Sequence, residues 1–173
     1  MSEYPQEYQE IEEEKKRPTL LTVLVVLSLM VIANGLFSNL LGLLAGPLSA
    51  DQVQEMVNSN MGQVNQLYEM GQPYWGDTTL KILNMITYTN ANFMMDRMIN
   101  IVGYSIGLFG VLNMLRGVKL GFHFYIIYNL IALFGIYASV PVSEIPGFYF
   151  GFFGVISLLF IYLYSKTLPW MTK

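Results

Sequence analysis

The side chains best suited to chemistry are few in this chain, and their spacing argues against most of what they could do. His123 is the single histidine and there is no cysteine, which excludes disulfides, thiolate catalysis and Cys-ligated metals. Met94, Met95 and Met98 fall within one helical turn, and thioethers are soft ligands suited to Cu(I). Methionine is equally an adaptable packing residue, and neither cysteine nor a nearby histidine completes the set, so packing is the reading. Asp51 and Glu55 form an acid pair at i, i+4, but on a polar face they read as solvated charge. The patterns H-E-x-x-H, G-x-S-x-G and the P-loop are absent. No catalytic, cofactor-binding or metal-ligating residue is therefore assigned, and the chain reads as a non-enzyme.

The elements that carry these residues explain the scarcity. The chain is 54% hydrophobic and 12% charged, against roughly 25% charged in an ordinary soluble domain. Residues 18–50 hold no charge at all. A helix rises about 1.5 Å per residue, so roughly 20 residues cross a hydrocarbon core of about 30 Å. Further uncharged runs cover residues 98–115, 120–143 and 145–165. The links between the last three are short, at 116–119 and around Pro141, Glu144 and Pro146, which makes these spans antiparallel neighbours. The fold class expected is all-α, a four-helix transmembrane bundle with an outward-facing helical segment between spans 1 and 2. Its divisions are a cytoplasmic polar tail (1–17), span 1 (18–46), an extracytoplasmic segment (47–96), span 2 (97–116), span 3 (120–140), span 4 (145–166) and a cytoplasmic tail (167–173). Ala33-Asn34-Gly35 loosely matches a signal cleavage site, but the leader is acidic and the apolar run continues well past it, so an intact first span is expected.

Charge sets the orientation. Lys15, Lys16, Arg17, Arg116, Lys119, Lys166 and Lys173 all fall at one end of the spans, which the positive-inside rule makes cytoplasmic. Both termini are then inside, in the cell inner (plasma) membrane. The basic residues are too scattered for a nucleic-acid footprint. Trp170, Tyr162 and Tyr164 near one face, and Phe148 and Tyr149 near the other, suit interfacial belts.

Within the spans the pattern is one of small residues. Asn34, Ser38, Gly42 and Gly46 step by four, Asn100, Gly103, Gly107 and Gly110 by three and four, and Gly147, Gly151 and Gly154 do likewise. Small residues let backbones approach closely where lipid gives little other reason to associate, so these glycines are read as helix-packing positions, within the bundle or in a homo-oligomer. No Asp, Glu, Lys or Arg is expected inside a span, which weakens any ion-coupled role. His123, just past Lys119, reads as an interfacial anchor. Asn34, Asn39, Asn100, Asn113 and Asn129 are expected to bridge helices by hydrogen bonds.

The segment between spans 1 and 2 is amphipathic. Val53, Met56, Val57, Met61, Val64, Leu67 and Tyr68 recur at helical spacing, Gly71, Pro73 and Gly76 interrupt, and a second helix is expected from Asp77, a good N-cap, to Tyr88. Its stripe must be covered by protein, and Val53, Met56, Val57, Tyr74 and Trp75 make a candidate partner surface. The stretch Arg17-Pro18-Thr19-Leu20-Leu21-Thr22-Val23-Leu24 resembles the opening of uncharacterised small bacterial multispan membrane proteins, a resemblance that implies no activity. The functional expectation is a non-enzymatic accessory or scaffolding subunit, in the lipid bilayer, with a membrane-protein partner or a homo-oligomer and no cofactor. The alternative is a passive small-solute or lipid-handling pathway through the bundle or its oligomer, which a polar cavity lined by Asn34, Asn100 and Asn129 would favour.

Overall fold

The computed structural model describes residues 16–172; Lys173 and nearly all of the acidic leader lie outside them. Six α-helices follow in order: α1 (Thr19–Ala45), α2 (Ala50–Glu69), α3 (Pro73–Ala91), α4 (Phe93–Leu115), α5 (Leu120–Phe134) and α6 (Phe148–Ser165). Short 3-10 turns extend α5 (Gly135–Ala138), cross the α5–α6 link (Val142–Glu144) and follow α6 (Leu168–Trp170). There is no strand among the described residues. α1, α4, α5 with its turn, and α6 with its own turn are each long and apolar enough to cross a membrane.

Local chemistry fixes the boundaries. Ser49 caps α2 with Gln52 in a reciprocal box: the Gln52 N–H donates to Ser49 Oγ at 3.2 Å and the Ser49 N–H to Gln52 Oε1 at 2.9 Å. α2 and α4 end alike. Gly71 (φ 69) and Gly117 (φ 77) take left-handed conformations, and the N–H groups of Gln72 and Val118 return to the carbonyls of Leu67 and Asn113, both at 2.9 Å. α3 starts at Pro73, ahead of the expected Asp77 cap, because proline's fixed φ and missing N–H suit a first helical turn. Asp77 sits inside the helix instead and accepts a 2.7 Å hydrogen bond from the Tyr68 hydroxyl. Only Asn92 (φ −105, ψ 31) separates α3 from α4. α4 therefore begins before residue 97 and takes Asp96 and Arg97 into its first turns.

α4 is the hub of the bundle. It packs along α1 on one side and α5 on another, while α6 lies against α5 and touches α1 over a short stretch only. The buried core gathers at the end that carries the α4–α5 turn, around Leu21, Leu24, Val25, Val111, Met114 and Tyr164. Elsewhere the spans leave large apolar side chains outward, among them Met30, Phe37, Leu44, Val155 and Leu158. In water each would forgo about 1.5–3 kcal/mol of burial; in hydrocarbon it forgoes almost nothing. Residues Thr167 and Met171, expected in a terminal tail, are 2% and 1% exposed, so the chain folds back on the bundle there.

α2 and α3 form a hairpin beyond the other end. Val64 and Leu83 are buried in it, and Val53, Met56 and Val57 are half-covered, so the stripe of α2 is closed by α3 of the same chain. Three polar clamps hold the hairpin's base. Leu48 exchanges two hydrogen bonds with the Asn90 side chain (2.8 and 3.0 Å), Asn84 Nδ2 donates to Glu144 Oε2 at 2.8 Å, and Asn92 Nδ2 donates to the Ser139 carbonyl at 3.0 Å.

Candidate functional site

Between α1, α4, α5 and α6 the bundle forms a partly open cavity of about 390 Å³. α1 contributes Leu27, Ser28 and Val31; α4 contributes Asn100, Gly103 and Tyr104; α5 runs along it from Tyr125 to Leu133; and α6 supplies Tyr149, Phe153, Ile156, Ser157 and Phe160. The wall is mainly apolar, with no ionisable group other than tyrosine.

One end of the cavity is sealed by hydrogen bonds between spans. Tyr164, fully buried, donates to Ser28 Oγ at 3.0 Å, and that oxygen lies 3.3 Å from the Tyr125 hydroxyl. The Tyr125 and Tyr164 rings are tilted against each other at 4.7 Å. Tyr164, expected in an interfacial belt, is instead covered by protein on all sides, its hydroxyl bonded to Ser28. Higher in the cavity, Tyr104 and Tyr128 meet at 5.9 Å between ring centres. Their hydroxyls have no hydrogen-bond partner among the described residues. Gly35 leaves the space that the Tyr104 ring takes, and a Cβ on Gly107 would meet the Tyr128 ring at 2.8 Å.

The asparagines behave differently from expectation. Asn100, Asn113 and Asn129 donate to the carbonyls of Asp96, Phe109 and Tyr125 on their own helices, at 2.8–2.9 Å, since the carbonyl four residues back is always in reach. Asn34 is exposed and lies outside the cavity, whereas Asn100 and Asn129 line it. Asn39 alone bridges spans. Its Nδ2 donates to the Gly35 carbonyl at 2.8 Å, and its Oδ1 accepts from Arg97 Nη1 at 3.0 Å. Arg97 lies over the Phe93 ring at 5.3 Å, its guanidinium beside Gly42, and its Nε is buried without an acceptor. A charge thus reaches the α1–α4 contact, where the sequence suggested none. The signal was Gly42 itself, a small residue opposite a long cation.

The glycine positions divide. A Cβ on Gly103 would meet Ile131, and one on Gly110 would meet α5 backbone. Gly46 ends α1 at φ 79 with open space around it, and a Cβ on Gly147, Gly151 or Gly154 would meet nothing within 4 Å among the described residues. His123 is exposed beside Lys119 and Ser165 at the core end. Met94, Met95 and Met98 are outward-facing, and no trio of His, Cys, Asp or Glu converges among the described residues. Tyr74 and Trp75 stand at the hairpin tip, edge to face at 5.2 Å.

Four long apolar helices in one bundle define the class, a multi-pass helical membrane protein. Comparison with known protein families, with curated proteins and with solved structures gives no match.

Proposed function

We propose that this chain is a non-enzymatic accessory or scaffolding subunit of the plasma membrane, with both termini in the cytoplasm and the α2–α3 hairpin outside. The orientation rests on the basic residues gathered at the end opposite the hairpin, Arg116 and Lys119 in the α4–α5 turn above all. The subunit reading rests on the hairpin tip. The hairpin covers its own apolar stripe and is clamped at its base, yet the side chains of Tyr74 and Trp75 remain 58% and 54% exposed. Rigid aromatic pairs of this kind are common anchors in protein interfaces. The partner is another membrane protein, or a second copy seated against the open glycine face of α6.

The test is crosslinking in native membranes followed by purification of the tagged chain. A stoichiometric partner, lost when Tyr74→Ala and Trp75→Ala are combined, is the expected result. A chain that runs as an unpartnered monomer with and without the substitutions would sink the proposal. A reporter active only in the cytoplasm should be silent when fused after Gly71 and active when fused after Lys173. The alternative reading, passage of a small solute through the bundle, gains from the cavity but loses to the Tyr125–Ser28–Tyr164 cluster across its path.

A further inference from the structure

We propose that the cavity is a binding site for an uncharged, membrane-soluble molecule that carries a hydroxyl on an apolar body, entering sideways from the bilayer between α1 and α6. This site is distinct from the hairpin tip and stands or falls separately from the subunit reading.

Three observations carry it. The first is access. α1 and α6 meet over a short stretch only, and Leu27 and Val31 on α1, like Phe153 and Ile156 on α6, both line the cavity and face outward. The opening therefore looks into hydrocarbon rather than water. The second is polarity. No Asp, Glu, Lys, Arg or His lines the cavity, so a charged group would enter without a counter-charge in a medium that strongly disfavours it. Tyr104 and Tyr128, in contrast, line the cavity, and their hydroxyls have no hydrogen-bond partner among the described residues. An acyl chain filling the space would leave both unsatisfied; a ligand hydroxyl can donate to one and accept from the other. The third is size. About 390 Å³ is at the lower end of ligand pockets, roughly 300–1,000 Å³. It takes the hydroxyl-bearing end of a lipid-soluble molecule and not a whole phospholipid. The sealed end, at Tyr164 and Ser28, makes the site a blind pocket in which a ligand dwells.

The experiment uses the full chain in phosphatidylcholine nanodiscs with a photoreactive, clickable analogue of hexadecanol. Labelled positions are mapped by mass spectrometry. The expected labels cluster on Val31, Phe153 and Ile156. They should fall at least fivefold with excess hexadecanol and hardly at all with excess hexadecane. Tyr128→Phe should weaken the hexadecanol competition several-fold, and Ser157→Phe, which puts bulk into the cavity, should abolish the cluster. Diolein and farnesol as competitors tell a glycerolipid source of the hydroxyl from an isoprenoid one. Because competition is read on the unmodified chain, the test survives a variant that does not fold. Labels spread over Met30, Phe37 and Leu158 in proportion to exposure would overturn the site. Equal competition by hexadecane would overturn the hydroxyl requirement, and stronger competition by palmitate would overturn the exclusion of charge.

Discussion

Replacing Gly110 by alanine tests whether backbone contact holds α4 to α5. A Cβ there would lie 2.9 Å from both the Gly121 carbonyl oxygen and the Tyr125 nitrogen, and 3.2 Å from the Phe124 carbonyl carbon. All three belong to the α5 backbone, so no side chain can swing aside. The view from α5 is tighter still: a Cβ on Gly121 would meet the Gly110 oxygen at 2.5 Å and the Met114 nitrogen at 2.6 Å. Relief requires the helices to part by about 0.5–1 Å, and a gap of that size forfeits roughly a quarter to a half of each dispersion contact across it. Overpacking of this kind costs about 1–3 kcal/mol. Gly121→Ala should cost at least as much as Gly110→Ala. The double variant should cost less than the sum, because one separation of the helices relieves both clashes. Gly151→Ala is the control: nothing lies within 4 Å of its Cβ position, and its effect should stay within about 0.5 kcal/mol. Reversible unfolding in mixed micelles with rising dodecyl sulfate, followed by circular dichroism, gives the numbers. Gly110→Ala and Gly121→Ala variants as stable as the parent would refute the reasoning, as would a Gly151→Ala variant that is the weaker protein.

Asn39→Leu should destabilise the bundle by about 1–3 kcal/mol, since it strips Arg97 of its one hydrogen-bond acceptor among the described residues, and adding Arg97→Met should recover part of that loss in the same unfolding assay. Ser28→Ala removes the shared partner of Tyr125 and Tyr164, and should raise hydrogen exchange in α6 while leaving α4 unchanged; a uniform rise would contradict it. Single cysteines at Val57 and Val64 should resist a water-soluble thiol reagent in native membranes, while those at Asn58 and Gln66 react; equal reaction at all four would mean that α2 does not pack on α3. Tyr68 should ionise above its ordinary 10.0, because its hydroxyl donates to Asp77, with burial and the carboxylate's charge adding to the effect. The hydroxyl–carboxylate bond is then intact below pH 10 and lost as pH rises through the raised value. The ultraviolet difference spectrum between the parent and Tyr68→Phe reads that titration, and Asp77→Asn should move it back toward 10.0.

The sequence carried the architecture because hydrocarbon imposes a length and forbids charge, and both conditions are visible as uncharged runs. Four long apolar helices form over those runs, though α4 starts at Phe93, ahead of the run that begins at residue 98, and the periodicity of α2 was legible as far as its closing glycine. What could not be read was which face of each span meets which neighbour. In a soluble helix the apolar stripe points to the core; in α6 every face is apolar, so glycine spacing alone could not say whether Gly151 meets a helix or lipid. The same limit hid the cavity. Tyrosines at 104, 125, 128 and 164 look alike in a sequence, yet two seal a wall by bonding through Ser28 and two line open space. Arg97 was placed at the very start of the second span, because a cation ends the uncharged run 98–115. The helix continues through it, since Phe93 and Gly42 give its stem and head a place to lie.

Lipid gives helices little hydrophobic reason to associate, so how firmly each span is held depends on how closely its backbone or hydrogen bonds engage a neighbour. By that measure the bundle is uneven. α4 and α5 touch backbone to backbone at Gly110 and Gly121, and α1 is tied to α4 by Asn39 and Arg97. α6 has neither device. Its glycines meet nothing within 4 Å among the described residues, and its attachments include the Tyr164 hydroxyl on Ser28 and its ring against Tyr125 at 4.7 Å, a Tyr149 bond to the Ala132 carbonyl at 3.4 Å, and the stacking of Phe150 on Tyr137 at 5.3 Å. The polar contacts among these lie toward the two ends of α6, and the cavity is lined by Phe153, Ile156 and Ser157 between them. The helix least firmly held is thus the one that walls the pocket mouth.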